Sequence, residues 1–346
     1  MIRFIVPVIL VLCLALPSSA TEYTAPEVPD AGHNLMPDET EHFGKGLSEL
    51  LKKACFLIRP DLGEAVKVGT GVIASTLLIS ILRTFSGFSK DAVNLSGVVI
   101  VSLQLLSSAN AMIRLGCDTI NELSNYGKLL LPVMASALAA QGGITTAGAL
   151  YVGTTVFDTL LSSMISRIFV PMVFILLTVG VAGCALGDET LKKLLDMGKG
   201  ILTWSLKTVL LVYMAYMGIT GVISGTTDAV ALKATRLTIS TVVPVVGGIL
   251  SDASEAVLVS VGAMKNAAGI YGILAAAAIF LEPFLRISAH YLVLKGTGAI
   301  CTIIDSKGTG GLLDVFTSAM GLILAMTGVS CLLLLISTVC FLRGMS

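Results

Sequence analysis

The chain has 346 residues, of which 55% are hydrophobic and only 13% charged, against roughly 25% charged in an average soluble domain. Lys plus Arg equals Asp plus Glu at 22 each, and neither a basic cluster nor an interleaved aromatic pattern points to nucleic acid. Water does not solvate a surface built from this mixture, so most of it must face lipid, and a soluble enzyme is excluded.

In chain order, Met1-Ile2-Arg3 supplies one positive charge and Phe4 to Leu16 is an apolar run. Pro17-Ser18-Ser19-Ala20 follows, with small residues where a cut after Ala20 needs them. Residues 1–20 therefore read as a cleavable signal peptide, with a first transmembrane anchor as the rival reading. Residues 21–65 are an exported polar segment, rich in Pro and acids up to 44. Within it, residues 46–58 set Leu47, Leu50, Leu51, Ala54, Leu57 and Ile58 on one helical face, opposite Glu49, Lys52 and Lys53. That amphipathic helix suits the membrane surface, a docking partner or a plain solvated lead-in.

Residues 66–342 form the polytopic domain. A spanning helix needs roughly 20 mostly apolar residues. Full spans are expected at 66–82, 93–112, 168–186, 201–222, 284–304 and 312–342. Two more apolar regions are broken: 129–165 by Pro132 and Gln141-Gly142-Gly143, and 239–281 by Pro244, Gly247-Gly248 and Ser251-Asp252-Ala253-Ser254-Glu255. Irregular backbone at membrane depth needs protein or water beside it, so both read as re-entrant hairpins, with ordinary spans as the alternative. The fold class is all-α, a polytopic helical membrane protein of about six spans plus two hairpins.

A weak two-fold internal repeat accompanies this pattern. Pro132 and Pro244 lie 112 residues apart, as do Pro171 and Pro283, giving halves of about 66–186 and 187–342. Repeats of this kind are common in transporters, with binding sites near broken helices. If both hairpins cross nothing net, the exported N-terminus puts Arg83, Lys90, Lys192, Lys193 and Lys199 inside, as the positive-inside rule requires.

Charged residues inside apolar stretches are costly and are functional candidates by default. Asp158, Lys207, Asp252, Glu255, Lys265, Glu282 and Arg286 qualify as path-lining or structural groups. Lys207 has the length to snorkel to an interface. Glu282 and Arg286 are spaced to pair on one helix. Asp252 and Glu255 sit at the proposed tip of the second hairpin, in a solvated loop or beside a water-filled path. Asp158 and Lys265 lie near the ends of apolar pieces, which favours interfacial positions. Seven Cys are scattered without CxxC, and His33, His42 and His290 are isolated, so no metal site or cofactor is expected. HExxH, GxSxG and the Walker A loop are absent, and no catalytic role is expected.

Three stretches carry a specific resemblance: Ile223 to Gly272, Pro283 to Lys295 (PFLRISAHYLVLK), and the run ILTWSLKTVLLVYMAYMGITG before them. They resemble the stage III sporulation protein AE family, and the resemblance extends from about residue 40 to the end of the chain. It implies a protein of endospore-forming bacteria made in the mother cell and seated in the outer forespore membrane. The implied partners are other stage III sporulation A proteins, including an ATPase and ring-forming subunits. Together they form a channel-like complex that meets a forespore membrane protein across the intermembrane space. The family resembles a permease and implies no catalytic residue. A self-sufficient transporter and a non-conducting scaffold stand as the rival functions.

Overall fold

The computed structural model describes residues 26–37, 43–85, 90–140, 144–219, 267–304 and 309–344, and among these all regular structure is helical. The expected signal peptide, the tip of the second hairpin, Asp252, Glu255 and Lys265 lie outside the described residues. The helices are α1 (Asp30–His33), α2 (Phe43–Leu57), α3 (Arg59–Phe85), α4 (Lys90–Ala140), α5 (Ile144–Met164), α6 (Val170–Leu186), α7 (Glu189–Ile219), α8 (Ala267–Ile304) and α9 (Thr309–Gly344). Six helical stretches are long and apolar enough to cross a membrane, one for each expected span. This is a multi-pass helical membrane protein.

The helices are longer than the expected spans, in α4 because the supposed breaker Pro132 does not break. Pro132 lies inside α4 and Pro283 inside α8. Each ring removes one backbone donor, a local loss that membrane helices tolerate when neighbouring helices pack around it. The arms of the expected 129–165 hairpin are therefore the end of α4 and the start of the next helix. The expected Gln141-Gly142-Gly143 breaker, between Ala140 and Ile144, lies outside the described residues. The stretch 267–281 continues into the 284–304 span as one 38-residue helix.

From Ile144 to Leu186 the chain is helical throughout, with one π-helical turn at Ile165–Phe169 joining α5 to α6. Pro171 explains its place: its ring has no N–H for the carbonyl one turn back, and the wide turn absorbs the mismatch. Gly187 then ends α6 in the left-handed region at φ 68°, where a side chain would be strained. Asp188 caps the next helix, its carboxylate accepting from the Thr190 N–H at 2.7 Å.

Pairings across the bundle give the relative directions. α3 is antiparallel to α4 (Ser75 to Gln104, Arg83 to Asn94). α8 runs parallel to α3 (Asp61 to Arg286, Thr76 to Cys301). It is antiparallel to α9, with Gly298 beside Leu313 and Gly269 against Leu342. These directions agree with six alternating crossings.

α9 is the central post. It packs against α4, α5, α6, α7 and α8. Its most apolar window is 100% buried, while that of α3, α4 and α7 is 28% buried. A helix apolar all round belongs inside. In lipid the transfer gain of burial is small, so close packing must hold the post. Glycines permit it: a methyl on Gly116 of α4 would run into Ile323, and one on Gly180 of α6 into Val315.

The N-terminal segment is docked rather than free. Leu50 and Ala54 of α2 and Leu35 form a small core with Ala278 of α8. The buried stripe is Phe43, Gly46, Leu50 and Ala54, so the expected amphipathic face is rotated and Leu51, Phe56 and Leu57 point outward.

Candidate functional site

At 1.5 Å per residue the 51-residue α4 runs about 75 Å, well over the ~30 Å hydrocarbon core of a bilayer. Its uncharged run lies between Asp91 and Arg114, about 33 Å. In α5–α6 the run between Arg167 and Asp188 is about 30 Å. Beyond Arg114 the outer face of α4 carries Asp118 and, one turn on, Glu122.

Asp158 occupies the inner side of this charged level. It is half-buried, and Ser124 of α4 donates to its Oδ2 at 2.7 Å. Lys128, one turn along α4, acts on it electrostatically. Asp158 lies on a helix continuous from 144 to 186, outside the uncharged run that begins after Arg167. One turn away, Thr154 and the fully buried Tyr213 of α7 lie 3.5 Å apart, oxygen to oxygen. The Tyr213 hydroxyl also bonds Ser337 of α9, whose own hydroxyl donates to the Leu333 carbonyl at 2.6 Å. Phe157 packs edge-on against the Tyr213 ring at 5.2 Å. Four helices thus bring one carboxylate and four hydroxyls together inside the bundle. Nothing in the local sequence of Ser124, Thr154, Tyr213 or Ser337 marks them, beyond being polar within apolar runs.

Arg286 of α8 does not pair with Glu282 as its spacing suggested. It reaches α3 and bonds Asp61 at 2.8 Å. The reason is positional: α3 begins at Arg59, with Pro60 fixing its first turn, and so presents Asp61 to α8. Glu282 and Glu64 add negative field around the same guanidinium. Lys207 is exposed on the outer face of α7 near Trp204 and Leu211, as a snorkelling lysine would be. No group of three or more potential metal ligands occurs among the described residues.

A second polar feature lies where α6 ends and α7 and α9 begin. It is a cleft of about 230 Å³ with Lys192, Asp196, Lys199 and Asp314 on its walls.

The family model of stage III sporulation protein AE matches residues 39–343. The chain belongs to the stage III sporulation protein AE family. It is 19% identical over 286 residues to the stage III sporulation protein AE of Bacillus subtilis (strain 168), covering 82% of this chain and 72% of that protein. No solved structure matches. The matched residues take in all six membrane-spanning stretches, α2, Asp61 and the polar cluster around Asp158. Membership gives the protein a role in sporulation.

Proposed function

We propose that the protein is the membrane subunit of a channel or secretion-like complex between mother cell and forespore, needed for forespore development. It sits in the mother-cell (outer forespore) membrane with its N-terminus exported. Its partners are the other stage III sporulation A proteins, an ATPase and ring-forming subunits among them, and indirectly a forespore membrane protein. The observation that carries this is the family match over residues 39–343, joined to a six-stretch helical bundle. The docked α2, with Leu51, Phe56 and Leu57 outward, offers the exported side an apolar contact for such partners. The reading gives the chain no catalytic step.

A stand-alone permease is the second reading, and Asp158 among the hydroxyls of Ser124, Thr154 and Tyr213 favours it, since a carboxylate gathered with hydroxyls between packed helices suits an ion or proton path. Affinity purification from sporulating cells decides between them. The channel reading predicts that the other stage III sporulation A proteins co-purify and that the chain alone moves no solute in liposomes. Turnover by the isolated chain, without partners, contradicts it.

A further inference from the structure

The cleft between α6, α7 and α9 is lined by opposite charges, of which Lys192 is held by Glu189 at 2.9 Å at the exposed rim while Lys199 and Asp314 are only loosely engaged. Lys192 and Lys199 come from α7 and Asp314 from α9. Lys199 is drawn in, with 26% of its side chain exposed, and its contact with Asp196 is long at 3.7 Å. The Asp196 carboxylate is 76% exposed and largely in solvent. The Asp314 carboxylate has no hydrogen-bond or ion-pair partner among the described residues. It nevertheless lies close enough to Lys199 and Cys184 to act on both electrostatically. A lysine and a carboxylate on facing walls, neither closing on the other, leave room for a molecule carrying both charges.

Position and size narrow the occupant. The cleft opens at the Asp188 end of the uncharged run in α6, the level at which a bilayer presents its headgroups. Below it, α7 exposes Met197, Ile201 and Trp204 along one flank. Tryptophan favours the membrane interface and the other two suit acyl chains. About 230 Å³ is below the usual range of roughly 300–1,000 Å³ for pockets that hold drug-sized ligands, which argues against a nucleotide. Two lysines against two aspartates select a net-neutral zwitterion over a purely anionic group.

We propose that this cleft binds a phosphoethanolamine group, its phosphate held by Lys199 and Lys192 and its ammonium by Asp314, most simply as the headgroup of a membrane phospholipid. Lipid on the α7 flank would then fix the angle between α7 and the central α9.

The test uses the full chain, purified in detergent and loaded from vesicles of equal phosphatidylethanolamine and phosphatidylglycerol. Bound lipid per chain is counted by mass spectrometry for the wild type, Lys199→Gln, Asp314→Asn and Gly311→Ala. Gly311 lines the cleft, and a methyl there meets only Cys184 Sγ at 3.5 Å, so this variant narrows the cleft without strain. Melting of each variant in lipid-free detergent reports folding separately. The expected result is about one phosphatidylethanolamine retained per wild-type chain in preference to phosphatidylglycerol, with at least tenfold less in the charge variants at unchanged lipid-free melting. Displacement of that lipid by millimolar free phosphoethanolamine supports the shared chemistry and assigns the source to soluble or lipid forms by relative affinity. Equal retention in all variants, or phosphatidylglycerol held as well as phosphatidylethanolamine, overturns the proposal.

Discussion

Arg286 is the most exacting place to perturb the bundle. Its guanidinium bonds Asp61 across the α3–α8 seam at 2.8 Å, with 38% of the Arg286 side chain and 13% of the Asp61 side chain exposed. A fully buried pair broken on one side costs about 3–5 kcal/mol, whereas a hydrogen bond to a charged group contributes about 1.5–3 kcal/mol. Because the arginine is partly solvated while the aspartate is not, Arg286→Gln is expected to cost about 2 kcal/mol by stranding Asp61. Glu282→Gln, four residues earlier on α8, removes no direct bond and is expected to cost under about 0.5 kcal/mol. The assay is reversible unfolding of the purified chain in mixed micelles for Asp61→Asn, Arg286→Gln and the double variant. A coupling energy near 1–2 kcal/mol is predicted. Values within about 0.3 kcal/mol of zero are those of independent sites, and together with a larger loss in Glu282→Gln they would refute the pairing and restore the local one.

Four further outcomes follow from the same structure. Tyr213→Phe removes a hydroxyl bonded to Ser337 and is expected to cost about 1 kcal/mol. Tyr126→Phe is expected to be neutral or stabilising in the same unfolding assay, because the buried Tyr126 hydroxyl has no partner among the described residues. Gly116→Val places two methyls against Ile323 of the central helix and is expected to destabilise by about 1–3 kcal/mol or prevent folding; wild-type stability would contradict the α4–α9 contact. In a background of Cys55→Ser and Cys117→Ala, a cysteine in place of the exposed Asp118 is expected to react with a membrane-impermeant thiol reagent applied to open membranes, and one in place of Leu103 to stay unlabelled.

The six crossings were legible because length and apolarity report a membrane helix almost directly. Pro132 misled, since a residue that breaks helices in water costs only one local bond when surrounding helices pack against it. The position of α9 was not legible. Lipid and packed protein are both apolar surroundings, so apolarity alone does not tell that the most apolar stretch of α9 is packed inside the bundle. Nor was the Asp158 cluster, whose members come from residues 124, 154, 158, 213 and 337. Arg286 illustrates the same limit, because spacing offered Glu282 and only the parallel run of α3 beside α8 offered Asp61.

The most direct test of the account is deletion of the gene in its own host, with forespore size and late forespore transcription followed by microscopy after engulfment. The account predicts normal engulfment followed by small, collapsing forespores and failed late transcription, restored by the wild-type gene. Full-sized forespores with normal late transcription would contradict it.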